Sequence, residues 1–201
     1  MLVVNTNTCI IMDTLKKAFV NGGVSEKEAE LFCSLFVKRH YKKNEYLLRP
    51  GSIATKIFFV ETGNVILGIM TDKKPVTRHL AIAPEFITSM ESFHKQMITD
   101  EFLMATVNTD VYELTKADFD NAYQEFPVVQ LFYQKIAFEL LFKCQQRLTN
   151  LTSMDATTYY EQIKATNPGL LQSMNQADLA SYMGIEPQSL SRLRSKKSKA
   201  E

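Results

Sequence analysis

The sequence predicts an α+β chain in which an antiparallel β-barrel or sandwich sits between helical segments. Three observations carry this: short Val-, Ile-, Phe- and Thr-rich runs at even spacing from about residue 44 to 115, one long apolar-periodic segment after Pro127, and a C-terminal stretch of short helical patterns split by glycine and proline. With 201 residues, 45% apolar, and a formal net charge of +1, the chain can bury one substantial core or two smaller ones, and its overall balance demands no polyanionic partner.

Residues 8–37 carry two helical patterns separated by Gly22 and Gly23. The second opens with Ser25 and Glu28 in capping-box spacing ahead of Ala29, Leu31, Phe32, Leu35 and Phe36. The strand-like runs EYLL, KIFFVE, NVILGIMT, VTRHLAIA, FLMATV and DVYEL follow, divided by RPGS, TGN, TDKKP and a polar connection from Glu91 to Glu101. The basic KRHYKK stretch containing His40 reads as a solvated connection. A barrel of this kind is filled by its own side chains or holds a small ligand.

After KADFDNAYQEF, Pro127 can start a helix at its first turn, where the missing amide hydrogen costs nothing. Val129, Phe132, Ile136, Leu140, Cys144, Leu148 and Leu151 recur every three or four residues, one stripe about 35 Å long at ~1.5 Å per residue. Phe138 and Phe142 lie off the stripe. Two readings stay open: burial against the chain's own barrel, or one face on the barrel and another on the same helix of a second subunit.

Beyond residue 153, Asn167, Pro168 and Gly169 end a helix in YYEQIKATNPGLL, and Asn175 caps the next, with Asp178 near its positive end. Leu179 and Met183 give that helix a buried side, Ala180 permits close approach, Gly184 supplies the positive φ that leaves it, and Pro187 begins the last helix. Leu190 and Leu193 turn back towards the pair. Gln188, Ser189, Ser191, Arg192 and Ser195 then cover the outer side. Arg192 can present its planar fork to guanine and Gln188 can pair with adenine, so with Ser189 and Ser191 they form the base-reading set. Arg194, Lys196, Lys197 and Lys199 suit phosphate contact, and for each lysine a solvated tail explains the charge equally well.

The order of parts from Ser25 to Lys197 resembles the Crp/Fnr superfamily. LLRPGSIATKIFFVETGNV looks like that family's early barrel strands, APEFITSMESF takes the place of its phosphate-binding cassette, and NQADLASYMGIEPQSLSRL looks like its helix-turn-helix. The resemblance implies a cyclic-nucleotide-binding-like jelly roll over residues 1–126, a dimerisation helix over 127–153 with Val129, Phe132, Ile136, Leu140, Cys144 and Leu148 as its contact stripe, and a helix-turn-helix DNA-binding domain over 154–201. It implies a homodimeric transcription regulator in the cytoplasm, on double-stranded DNA with a roughly palindromic site, with RNA polymerase as a further partner. Few residues follow the reading helix, so no extensive wing is expected there. The cassette departs from the family: its glycine, glutamate, arginine and serine correspond to Thr88, Ser89, Thr99 and Asp100. Losing the arginine and gaining a carboxylate argues against control by cyclic AMP through the usual contacts. The barrel is then a scaffold or the seat of some other small-molecule effector. The alternative is a dimeric small-molecule-binding module whose C-terminal helices contact proteins.

Cys9, Cys33 and Cys144 lie far apart without a CxxC pair, which fits packing better than a metal or cluster site, and His79 or His94 alone is a weak haem ligand. No cofactor or metal is expected. No GxSxG, GxxxxGK[ST] or HExxH is present, so an enzyme has no candidate site, and no run reaches the roughly 18 apolar residues of a membrane helix.

Overall fold

The computed structural model describes residues 13–197, with side chains described for residues 13–195. Cys9, Lys199 and the first residues of the N-terminal helical pattern lie outside the described residues, as do the side chains of Lys196 and Lys197.

Helices α1 (Asp13–Asn21) and α2 (Glu26–Cys33) precede the sheets. The predicted capping box is present: Ser25 Oγ accepts the Glu28 N–H, and the Glu28 carboxylate accepts the Ser25 N–H. The strands are β1 (Val37–Tyr41), β2 (Tyr46–Leu48), β3 (Ser52–Ile53), β4 (Lys56–Thr62), β5 (Asn64–Met70), β6 (Pro75–Ile82), β7 (Glu85–Ile87), β8 (Ile98–Thr99), β9 (Glu101–Ala105) and β10 (Thr109–Thr115), with α3 (Met90–Lys95) between β7 and β8. Two four-stranded antiparallel sheets, β1-β10-β4-β7 and β2-β9-β5-β6, form a jelly roll, and β3 pairs with β8 in a short ribbon. The TGN turn needs its glycine: Gly63 has φ +81°, and a Cβ there would stand 2.5 Å from Thr109 Oγ1.

One correction concerns KRHYKK. Its first residues form β1, an edge strand whose Lys38 pairs opposite Tyr112 and whose His40 Nδ1 lies 2.8 Å from Asp110 Oδ1. The polar connection from Glu91 to Glu101 likewise contains α3 and β8 rather than only loop.

The helices that follow are α4 (Lys116–Glu125), α5 (Pro127–Ser153), α6 (Ala156–Thr166), α7 (Pro168–Ser173), α8 (Gln176–Tyr182) and α9 (Pro187–Lys197). Period-two alternation divides their partners. On β5, β6 and β9, Val65, Ala81 and Leu103 point into the first core, while Ile66, Leu80 and Phe102 point into a second one. The first core extends outwards to α1, α2 and α5 through Phe19, Phe32, Phe59, Phe86 and Phe132. The second joins the outer face of the β2-β9-β5-β6 sheet to Tyr159, Ile163, Leu170, Met174, Leu179, Met183 and Leu190. Helix α5 ends at Ser153, and the packing does not divide there.

The stripe on α5 is divided along its length. Val129, Phe132 and Ile136 pack into the chain's own first core, and Phe132 presses against Gly22, where a Cβ would stand 2.5 Å from its ring. Of the residues assigned to a dimer contact, Cys144 and Leu148 are exposed, and Leu140 is half-buried. The large apolar residues left open are the stripe's own Leu148 and, off the stripe, Leu131, Phe138, Leu141 and Phe142, each 47–66% exposed.

Candidate nucleic-acid interface and ligand cassette

The α8–α9 unit is built from local rules. Asn175 Oδ1 accepts the Asp178 N–H at 2.9 Å and caps α8; Gly184, at φ +70°, turns the chain, and the Ile185 N–H donates back to Ala180 O at 3.0 Å. Leu179, Ala180, Met183 and Leu190 are buried between the two helices, and Gln176 Nε2 donates to Pro187 O at 2.9 Å, tying the start of one helix to the start of the other. With Leu190 inward, α9 leaves Gln188, Ser189, Ser191, Arg192 and Ser195 exposed. Gln188 and Arg192 stand four residues apart, so they share one side of the helix. The two serines beside them keep that side low.

The phosphate set is divided. Arg194 is half-buried with its guanidinium 6.0 Å from the Tyr160 ring centre, engaged on α6 of its own chain. Lys196 and Lys197 fall within α9, which ends at Lys197.

Thr88 and Ser89 are buried at the end of β7, Thr99 is half-buried and Asp100 is exposed. The hydroxyls are already committed. Thr88 Oγ1 donates to Lys56 O at 2.8 Å, Ser89 Oγ donates to Glu101 Oε2 at 2.5 Å, and Thr99 Oγ1 accepts the Glu101 N–H at 3.1 Å. Arg78 Nη1 completes the group by donating to Glu101 Oε1 at 2.6 Å. Glu101 and Arg78 are absent from the sequence-based set: alternation places Glu101 with Leu103, but places Arg78 with Leu80 on the opposite face, and a register shift at Leu67/Gly68 of β5 sets that part of β6 apart. An incoming phosphate would meet Glu101 where it needs a donor, and the nearby cation is already paired.

A cavity of about 370 Å³ lies between the jelly roll and α5, lined by Phe59, Leu67, His79, Glu85, Ile136 and Leu140 among others and reaching Thr88 of the cassette. Glu85 bridges its rim: His79 Nε2 lies 3.0 Å from Oε1, and Lys143 Nζ donates to the same oxygen at 2.5 Å. Burial pushes the Glu85 carboxyl up, but His79 and Lys143 outweigh it and hold it below the usual carboxylate range. Among the described residues, no three His, Cys, Asp or Glu side chains cluster as metal ligands, and no helix is long and apolar enough to cross a membrane.

Residues 38–126 match the family model described as a cyclic nucleotide-binding domain. No curated protein matches the chain in sequence. Among solved structures, the chain is similar to the c-di-GMP-responsive global regulator CLP of Xanthomonas campestris, at 17% identity over 88% of this chain and 93% of that one, with a TM-score of 0.70. It is also similar to FixK2 of Bradyrhizobium japonicum, at 14% identity over 82% and 85%, TM-score 0.67. A Crp/Fnr-family regulator of Eubacterium rectale gives 10% identity over 90% and 87%, TM-score 0.71.

Proposed function

We propose that this chain, which has the Crp/Fnr fold and carries a cyclic nucleotide-binding-family domain over residues 38–126, is a transcription regulator that binds DNA as a homodimer. The observation that carries this reading is the outer side of α9, where Gln188 and Arg192 stand exposed on a two-helix unit fixed by its own core. Two such helices related by a twofold axis enter successive major grooves about 34 Å apart, so the site is roughly palindromic. Selection of bound fragments from random DNA tests it. A reproducible inverted repeat supports the reading, and weak binding abolished by modest salt rejects it.

Arg192→Ala should cost roughly 1–3 kcal/mol on the selected site and relax base choice at one position of each half-site. Equal preference in the variant and the native protein would remove Arg192 from the reading set.

The occupied hydroxyls and the Arg78–Glu101 pair support a barrel that does not answer to cyclic AMP. Titration calorimetry with cyclic AMP at micromolar concentration should give no isotherm; a clear one would restore the cassette. The largely apolar cavity beside α5 is the better seat for an effector.

A further inference from the structure

The head formed by α8 and α9 is held at more than its connecting helix. At the first anchor, the Thr77 N–H on β6 donates to Ser181 Oγ at 2.9 Å, and Thr77 Oγ1 donates to Asp178 Oδ1 at 3.4 Å. At the second, Arg147 on α5 donates from Nη2 to Tyr182 O at 2.8 Å and to Thr77 O at 3.3 Å. Its guanidinium also lies 4.8 Å from the Tyr182 ring centre. At the third, Lys74 Nζ, in the β5–β6 hairpin, donates to Glu186 Oε1 at 2.9 Å, on the residue that immediately precedes α9.

These anchors fall on the middle of α8, its C-terminal end and the turn into α9, and contacts spread over a helix and the turn beyond it fix orientation as well as position. The head itself does not bend between them, because Leu179 and Leu190 share its core and Gln176 joins it to Pro187. Arg147 is the central element: a single nitrogen, Nη2, donates to a strand carbonyl and to a helix-end carbonyl while the planar guanidinium lies against the Tyr182 ring, an arrangement that a lysine ammonium on a flexible stem does not reproduce.

We propose that Arg147, with Thr77 and Lys74, sets the angle at which the reading helix leaves the body of the protein and so determines which spacing between two half-sites the protein accepts. Arg147 is a positioning residue that acts through Tyr182 without touching DNA. The proposal rests on the DNA-binding reading above. A head held only through the chain between α5 and α6 would adjust to different spacers, whereas a head held at these anchors must break them to do so.

The test measures binding of the full chain to duplexes carrying the selected half-site as an inverted repeat at the selected spacing and at spacings changed by one and two base pairs. Native protein should lose at least about tenfold in affinity when the spacing changes by about two base pairs, while Arg147→Ala and Lys74→Glu should each vary by less than about threefold across the series. Base preference within a half-site should stay at its native value in both variants. Lys74 is exposed, so Lys74→Glu retains the fold and carries the test if Arg147→Ala does not fold. Native-like spacing discrimination in Lys74→Glu and in any folded Arg147→Ala overturns the positioning role. Loss of base preference together with spacing also overturns it, since that marks a general loosening of the head. Native protein without sequence preference overturns the DNA reading itself.

Discussion

Phe138→Asp should turn the proposed dimer into a monomer in sedimentation experiments and abolish tight binding to a two-half-site operator. Phe138 and Phe142 stack at 6.4 Å between ring centres on the open side of α5, in line with Leu131 and Leu141. Leu131 and Phe138 are seven residues apart, as are Leu141 and Leu148, the repeat that keeps one seam of a helix facing a parallel partner. In a twofold interface each substitution counts twice, so losing the burial of one aromatic side chain per subunit removes about 3–6 kcal/mol of association. Ile136→Asp should behave differently, lowering the stability of the single chain because Ile136 packs on the first core. A native protein that sediments as a monomer would overturn the proposed dimer, and a Phe138→Asp variant that stays dimeric would place the subunit contact elsewhere.

Leu179→Ala should lower unfolding stability by about 2–5 kcal/mol, the range for emptying a fully buried leucine site. Leu179 has no exposed surface, and its neighbours belong both to the head and to the outer face of the β2-β9-β5-β6 sheet. Denaturant unfolding followed by a head-specific and a barrel-specific probe should therefore show both signals moving together. A loss below about 1 kcal/mol, or a head that melts alone, would contradict the shared core.

The sequence reveals best what is decided locally. Gln188, Arg192 and the Gly184 turn lie within one short stretch whose caps and apolar spacing fix which side faces out. The strands β4, β5, β6 and β9 were legible because their runs are rich in Val, Ile, Phe and Thr and are bounded by turn residues. Strand β1 was not, since four of its five residues are exposed and its place depends on pairing with β10, far along the chain. The stripe on α5 was visible, but periodicity identifies an apolar face without saying what covers it. Here the first residues of the stripe, Val129, Phe132 and Ile136, pack on the chain's own core, while its Leu148 stays open together with the off-stripe phenylalanines. The Arg78–Glu101 pair escaped detection because β5 lies between their strands, and only the sheet order brings them together.

The second core has a consequence for inheritance and engineering. Because Ile66, Leu80 and Phe102 of the sheet finish the packing of Leu170, Met174 and Leu179, the C-terminal helices are not an interchangeable cartridge. A chimera that grafts another regulator's reading helices after residue 153 must bring matching residues on β5, β6 and β9. Altering operator choice by exchanging only the outer residues of α9 leaves that seam untouched.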